Sequence, residues 1–153
     1  MTKKMRVLKR YESGKLTPMP IKKNFFPGTG RRKTAVARVF LYEGKGTLVV
    51  NSLPVEVYFP GERAINDVMK PFHVVGVAHP EAQFNATIKV QGSGKQSQLG
   101  AVIHALSWSL ASMSEEYAEA LRKQGMLTRD SRMVERKKPY LRKARKAPQY
   151  SKR

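Results

Sequence analysis

Residues 84–91 read Phe84-Asn-Ala-Thr-Ile-Lys-Val-Gln91, with apolar and polar side chains in strict alternation. This period of two is typical of a β-strand with one buried face, and we interpret its polar face as exposed to solvent. A glycine-rich turn follows, and the period then changes. From about residue 97 to 113 the apolar residues recur at helical spacing, which predicts a helix with one buried stripe. The stripe consists of Leu99, Val102, Ile103, Leu106, Leu110 and Met113.

Further strands are predicted on the N-terminal side, where β-branched and aromatic residues concentrate between glycine and proline turns. The first two, joined by a turn at residues 43–46, are predicted to pair as a hairpin. Another turn is predicted at residues 51–54. The strands are predicted over residues 34–42, 47–50 and 72–78, and residues 55–59 are interpreted as a short extended segment.

Two shorter helices are predicted, one before the long helix in sequence and one after it. Residues 62–69 have apolar side chains three and four apart, and Pro71 is expected to end this helix. Residues 115–124 follow Ser114 as a helix cap, with acids in the first turn and Gly125 as the stop.

The charge of the chain is large and unevenly distributed. The 153 residues suffice for one domain with extensions, and their net charge is +19. Residues 1–33, 34–121 and 122–153 carry net charges of +10, −2 and +11. A near-neutral middle between cationic arms is typical of a folded body whose extensions bind a negatively charged partner. The lack of cysteine excludes disulfides and thiolate sites, and no apolar run reaches the roughly 18 residues of a membrane span.

The most basic segment is the C-terminal end, residues 132–153, with ten Lys or Arg residues and a single acid. It cannot bury enough apolar surface to order itself, so we expect it to be disordered when alone in water. A solvated tail or a localisation signal is the simpler interpretation of such a run. However, Tyr140 and Tyr150 lie among the cations and offer stacking groups beside phosphate-binding side chains. That mixture favours RNA as the partner.

Two glycine segments could be mistaken for nucleotide-binding loops. Gly28-Thr-Gly-Arg-Arg-Lys-Thr34 lacks the Walker spacing and precedes a predicted strand, so we expect its backbone and cations to approach RNA phosphate. Gly92-Ser-Gly-Lys-Gln-Ser-Gln98 opens the long helix and presents backbone N–H groups, with Lys95 adding charge.

No catalytic or metal constellation is recognisable. The three histidines, His73, His79 and His104, lack metal-ligand spacing and are interpreted as structural. Asp130 and Glu135 lie among arginines and are expected to hold them through local ion pairs. The sequence therefore predicts no enzyme and no cofactor. A DNA-compacting protein and a nucleotide-dependent enzyme are the alternatives, and preference for structured RNA over duplex DNA and ATP discriminates among them.

Two long strings resemble a known family. They are Gly28-Thr-Gly-Arg-Arg-Lys-Thr-Ala-Val-Ala-Arg-Val39 and Leu127-Thr-Arg-Asp-Ser-Arg-Met-Val-Glu-Arg-Lys-Lys-Pro139, the latter followed by the basic chain end. Both are similar to the bacterial-type family of ribosomal protein nine of the small subunit. The resemblance implies an α+β fold like the second domain of ribosomal protein S5. Such a fold has a four-stranded sheet with helices on one face and a left-handed βαβ crossover.

The resemblance also implies the organisation and the partners. Residues 1–27 would form a basic N-terminal extension, 28–127 the core domain and 128–153 an RNA-binding tail. The protein would sit in the head of the small subunit in a bacterium or an organelle, beside neighbouring ribosomal proteins. It would bind small-subunit rRNA, and its tail would reach the tRNA in the peptidyl site.

The expected contact residues are cations and the polar chain end. The implied rRNA-binding residues are Arg31, Arg32, Lys33, Lys95, Arg129, Arg132, Arg136, Lys137, Lys138, Arg142, Lys143, Arg145 and Lys146. The implied tRNA-binding residues are Tyr150, Ser151, Lys152 and Arg153. The chain departs from the family pattern at Ser93, Ser97, Leu99 and Tyr140, where glycine or alanine is usual.

Overall fold

A computed structural model describes residues 25–151 as a five-stranded sheet with five helices. Of the predicted N-terminal extension, residues 1–24 lie outside the described residues. Its last three residues, 25–27, belong to the first strand. The strands are β1 Phe25–Arg32, β2 Ala35–Glu43, β3 Leu48–Val50, β4 Leu53–Pro54 and β5 Phe84–Gln91. The helices are α1 Val55–Tyr58, α2 Glu62–Val74, α3 Pro80–Gln83, α4 Lys95–Ala111 and α5 Glu115–Lys123.

The strand order is β1-β2-β5-β3-β4, so the predicted hairpin of β2 with β3 is wrong. β5 lies between them, antiparallel to β2 and parallel to β3. The glycine turn that was expected to close the hairpin bonds instead to the segment before β5, with Gly44 N donating to Gln83 O at 2.8 Å and Gly46 N to Glu81 O at 3.0 Å. The two-residue β4 makes the sheet five-stranded where four strands were predicted.

One face of the sheet holds the core. In β5 the apolar side chains are buried and the polar ones exposed along the whole predicted strand, so its bounds and alternation are confirmed. Ala35, Ala37, Val39 and Leu41 of β2 are buried on the same side. α4 covers this face, and its predicted stripe is buried at Leu99, Val102, Leu106 and Leu110 and partly buried at Ile103 and Met113.

The glycine segment before β2 forms β1, a strand that was not predicted from the sequence. Gly28 and Gly30 are buried and face α4. A β-carbon on Gly28 would lie 2.1 Å from Ala105 O, so only glycine lets helix and strand approach this closely. The two glycines therefore allow the close packing of β1 on α4 in the core.

Three local predictions differ from the structure between β4 and β5. Residues 55–58 form a short helix, where an extended segment was predicted. α2 continues through Pro71 to Val74, and no strand forms at residues 72–78. Pro71 and Phe72 are buried, and the Phe72 ring lies 5.9 Å from that of Phe84. Burial in the core thus outweighs the local preference of proline to end the helix.

The last helix follows its prediction closely. α5 ends at Lys123, and Gly125 follows with a φ of 69°. Gly125 N donates to Arg122 O, and Met126 N donates to Leu121 O. This pair of bonds is a Schellman motif, which directs the half-buried Met126 back onto the core. Ser114 occupies the N-cap position but makes no side-chain capping bond.

Candidate nucleic-acid interface

The tail leaves the body beside His104 of α4. Arg31 N donates to His104 Nδ1 at 3.3 Å, and His104 Nε2 lies 3.0 Å from Leu127 O. Trp108 Nε1 also lies 3.1 Å from Nε2, so this ring nitrogen faces both an indole N–H and the Leu127 carbonyl. One imidazole therefore joins the end of β1 to the first residues after α5, which agrees with a structural role for this histidine.

A second connection lies at Asp130. Arg132 holds this carboxylate with its backbone N–H at 2.9 Å from Oδ1 and its Nη2 at 2.6 Å from Oδ2. Arg32 Nη1, which is buried, forms an ion pair with the same carboxylate. The Arg132 side chain first, then its backbone N–H and the Arg32 side chain, lower the pKa of Asp130 below its usual value.

Arg32 thus connects β1 to the start of the tail, in addition to supplying a positive charge. Its aliphatic stem passes Gly100 of α4, where an added β-carbon would lie 3.2 Å from Arg32 Cγ. Its guanidinium reaches Asp130, which directly follows the exposed Arg129. The structure therefore brings together two groups of predicted RNA-binding cations, those at the end of β1 and those at the start of the tail.

Farther along, the tail folds back on itself. Arg145 Nε donates to Glu135 Oε2 at 2.9 Å, and Arg145 Nη2 pairs with Oε1. The Arg145 side chain lowers the pKa of Glu135 through these bonds. A backbone bond from Arg142 N to Lys146 O at 2.7 Å tightens the same loop. The expected local ion pair is confirmed for Asp130 with Arg132, whereas Glu135 pairs with the more distant Arg145.

The loop from Glu135 to Arg145 presents its cations outward around Tyr140. Tyr140 has a φ of 62°, the left-handed conformation that glycine adopts freely, and its ring is 94% exposed. The backbone therefore keeps the path that a glycine would allow, and tyrosine is held there with strain. The exposed cations of the tail are Arg129, Arg132, Arg136, Lys137, Lys138, Arg142, Lys143, Arg145 and Lys146.

Lys95 lies in a different setting from the other predicted cations. Its Nζ lies 3.3 Å from the centroid of the Tyr58 ring and 3.3 Å from Tyr58 O. Tyr58 OH donates to Gln98 Oε1 at 2.9 Å, and Gln98 Nε2 donates to Gly92 O at 3.1 Å. These contacts hold the glycine-rich loop against α1. The Lys95 ammonium therefore already interacts with the ring and the carbonyl of Tyr58 within the protein.

One departure from the family pattern lies in this loop. Ser93 has a φ of 52°, so serine adopts a left-handed conformation at a position where glycine is usual. This conformation carries a steric cost for serine, as it does for Tyr140.

The predicted chain-end site is described only in part. Tyr150 and Ser151 are exposed, and the Tyr150 ring is 87% exposed. Lys152 and Arg153 lie outside the described residues.

The tail cations were predicted from the sequence, but two arginines that pair with the tail acids were not. Asp130 pairs with Arg32 of β1, and Glu135 pairs with Arg145, 10 residues farther along the tail. The acids themselves were the available signal, because two isolated carboxylates in a basic segment need counter-ions.

Neither a metal centre nor a membrane span is found in residues 25–151. No group of three His, Asp or Glu side chains there could hold a metal ion. No helix in that range is long and apolar enough to cross a bilayer.

Comparison with known proteins places the chain in a family. A family model described as ribosomal protein S9/S16 matches residues 30–153. The small ribosomal subunit protein uS9 of Dehalococcoides mccartyi is 45% identical over 132 residues, 86% of this chain and 98% of that protein. Proteins of the same name from Chlorobaculum tepidum and Rickettsia africae are 50% and 44% identical, over 81% and 84% of this chain and 94% and 79% of those proteins. The α+β body, the tethered basic tail and a match that covers most of the sequence agree: the chain belongs to the ribosomal protein S9/S16 family.

Proposed function

We propose that the chain is a structural, non-catalytic component of the small ribosomal subunit that binds rRNA through its tail. The observation that carries the proposal is the tethered array of exposed cations. Asp130 and His104 fix where the tail leaves the body, and Glu135 shapes the loop that follows. A localisation signal needs only charge, whereas these contacts fix where the tail leaves the body and the shape of its loop.

The same geometry supports RNA over duplex DNA. The loop presents a fully exposed tyrosine among Lys and Arg, and RNA bases in loops and bulges are available for stacking. Location in the subunit head, beside other ribosomal proteins, is part of the proposal, and the names of the relatives support the small subunit.

Binding to purified small-subunit rRNA tests the proposal. If six to ten phosphates are contacted, affinity should fall by about 10³- to 10⁵-fold between 50 and 200 mM salt. Duplex DNA of equal length and ATP serve as competitors at matched salt. Equal affinity for duplex DNA, or a flat salt dependence, would count against a ribosomal RNA ligand.

We further propose that the chain end contacts the tRNA in the peptidyl site. The exposed Tyr150 offers a stacking ring next to the terminal Ser151, Lys152 and Arg153. In the described part of the tail beyond residue 146, no salt bridge or side-chain hydrogen bond ties the chain back to the body. Such an end is suited to a partner separate from the rRNA that anchors the loop.

Deletion of residues 151–153 tests this contact in reconstituted subunits. Folding and assembly should be unchanged, and tRNA affinity at the peptidyl site should fall by on the order of 1 kcal/mol per lost charged contact. Arg142→Gln with Lys143→Gln is the matched control, because it removes the same charge from the loop and should weaken rRNA binding instead. Normal tRNA affinity with defective assembly would assign the chain end to rRNA.

A further inference from the structure

The face of the sheet opposite the helices, here called the open face, is cationic. It is formed by the outward-pointing residues of β1, β2 and β5, which alternate with the buried ones. Arg31, Arg38 and Lys89 lie at these outward positions, and no Asp or Glu does. The body as a whole is near neutral, so this face concentrates positive charge that composition alone conceals.

Arg38 and Lys89 are direct cross-strand partners in the register of β2 with β5. Both are exposed, and within residues 25–151 neither forms a salt bridge. Like charges placed directly opposite one another on a sheet are destabilising. The pair therefore costs the isolated protein stability, and an anion bound between the two side chains would remove that cost.

A shallow cavity of ≈ 410 Å³ lies beside the pair, lined among others by Asn51, Ser52 and Gln91. Its wall is fixed, because Asn51 Nδ2 donates to Val90 O and Val90 N donates to Asn51 Oδ1, both at 2.9 Å. Ser52 and Gln91 are exposed and supply neutral hydrogen-bond donors next to the cations. Charged and neutral donors around one concave site match the oxygens of a phosphodiester.

Aromatic side chains continue the open face away from the cations. Phe40 is two residues from Arg38 on β2, about 7 Å along the strand. The Phe25 ring packs edge-on against Phe40 at 5.5 Å and lies 6.0 Å from Tyr42. An acidic protein segment would need only the charges, whereas RNA uses phosphate-binding cations together with aromatic surface for its bases.

We propose that the open face is a second rRNA-binding surface, with the sugar-phosphate backbone held between Arg38 and Lys89. The inference rests on the proposed function, since it takes rRNA as the ligand, but it assigns a contact separate from the tail. The polar face of β5 was interpreted from the sequence as exposed to solvent, and the inference assigns it a ligand.

The test compares two double variants of the full chain that lose the same charge. Arg38→Gln with Lys89→Gln removes the open-face pair, and Arg63→Gln with Lys70→Gln removes two exposed cations of α2. Affinity for a full-length small-subunit rRNA transcript is measured as a function of salt. The open-face variant should lower the slope of log affinity against log salt by about 2, and the α2 variant should leave it unchanged.

Thermal unfolding serves as the folding control, because loss of the like-charge pair should leave the open-face variant at least as stable as the original chain. Equal slopes for the two double variants, with the original chain still binding rRNA, would overturn the inference and leave the tail proposal standing. Failure of the original chain to bind rRNA would overturn both. Cross-linking of β2 or β5 to a neighbouring protein instead of to nucleotides in assembled subunits would also overturn the inference.

Discussion

Gly30 and Ala105 meet backbone to backbone where β1 crosses α4. A β-carbon on Gly30 would lie 2.4 Å from Ala105 N and 2.0 Å from Ala101 O, distances at which no methyl group fits. The next residues along β1, Arg31 and Arg32, make the contacts with His104 and Asp130. The close approach of strand and helix therefore also sets where the tail is attached.

Gly30→Ala should destabilise the fold by about 1–3 kcal/mol or more, because the clash is with helix backbone and not with a flexible side chain. Urea unfolding followed by circular dichroism measures the loss. Gly94→Ala is the matched control, since its added β-carbon meets nothing within 4 Å, and it should cost at most about 1 kcal/mol. Similar losses in both variants would mean that the close approach is not what glycine provides at position 30.

The Asp130 carboxyl should titrate well below the ordinary aspartate value of about 3.9. Its pKa is lowered in the folded protein, so the contact stabilises the attached tail above that ordinary value and is lost as the pH falls through the lowered one. Carboxyl-carbon NMR of the free protein measures the midpoint. Arg132→Gln should raise the midpoint more than Arg32→Gln, because the Arg132 side chain is the largest cause. The reverse order, or a midpoint near 3.9 in the unchanged protein, would contradict this arrangement.

His104→Ala should cost about 1–2 kcal/mol, because it leaves Arg31 N–H and Leu127 C=O without their protein partner. Hydrogen exchange at the Arg31 amide should become faster in the variant. His73→Ala, on the exposed side of α2, is the control and should stay within about 0.5 kcal/mol of the original stability. An unchanged Arg31 exchange rate would remove His104 from the attachment of the tail.

Glu135→Gln should weaken rRNA binding although it removes a negative charge. The substitution breaks the ion pair with Arg145 that closes the loop, so ordering the loop on the RNA costs more, about 3- to 10-fold in affinity. Glu119→Gln removes an acid of the same charge from α5 and should leave binding equal or slightly tighter. Filter binding at constant salt measures both. Tighter binding by the Glu135 variant would show that net charge, and not loop shape, controls affinity.

The features that could be predicted from the sequence are local ones. The alternation in Phe84–Gln91, the apolar stripe of α4 and the glycine stop after α5 each depend on a period or a backbone preference within one segment. The excess of cations near the C-terminal end is likewise evident from the sequence without knowledge of the fold. The acids Asp130 and Glu135 could be interpreted as ion-pair partners because isolated carboxylates among arginines need counter-ions.

Which segments meet depends on long-range packing and strand pairing. β5 enters between β2 and β3, so two strands adjacent in sequence do not pair, and no local pattern contains that choice. Gly28 and Gly30 lie in a strand that packs closely on α4, a contact that the local sequence does not reveal. α2 continues through Pro71 because burial of Phe72 in the core stabilises the longer helix. Arg32 with Asp130 and Arg38 with Lys89 become neighbours only through strand pairing and chain reversal. Long-range contacts set these outcomes because burial and pairing energies outweigh the smaller preferences that a short segment carries.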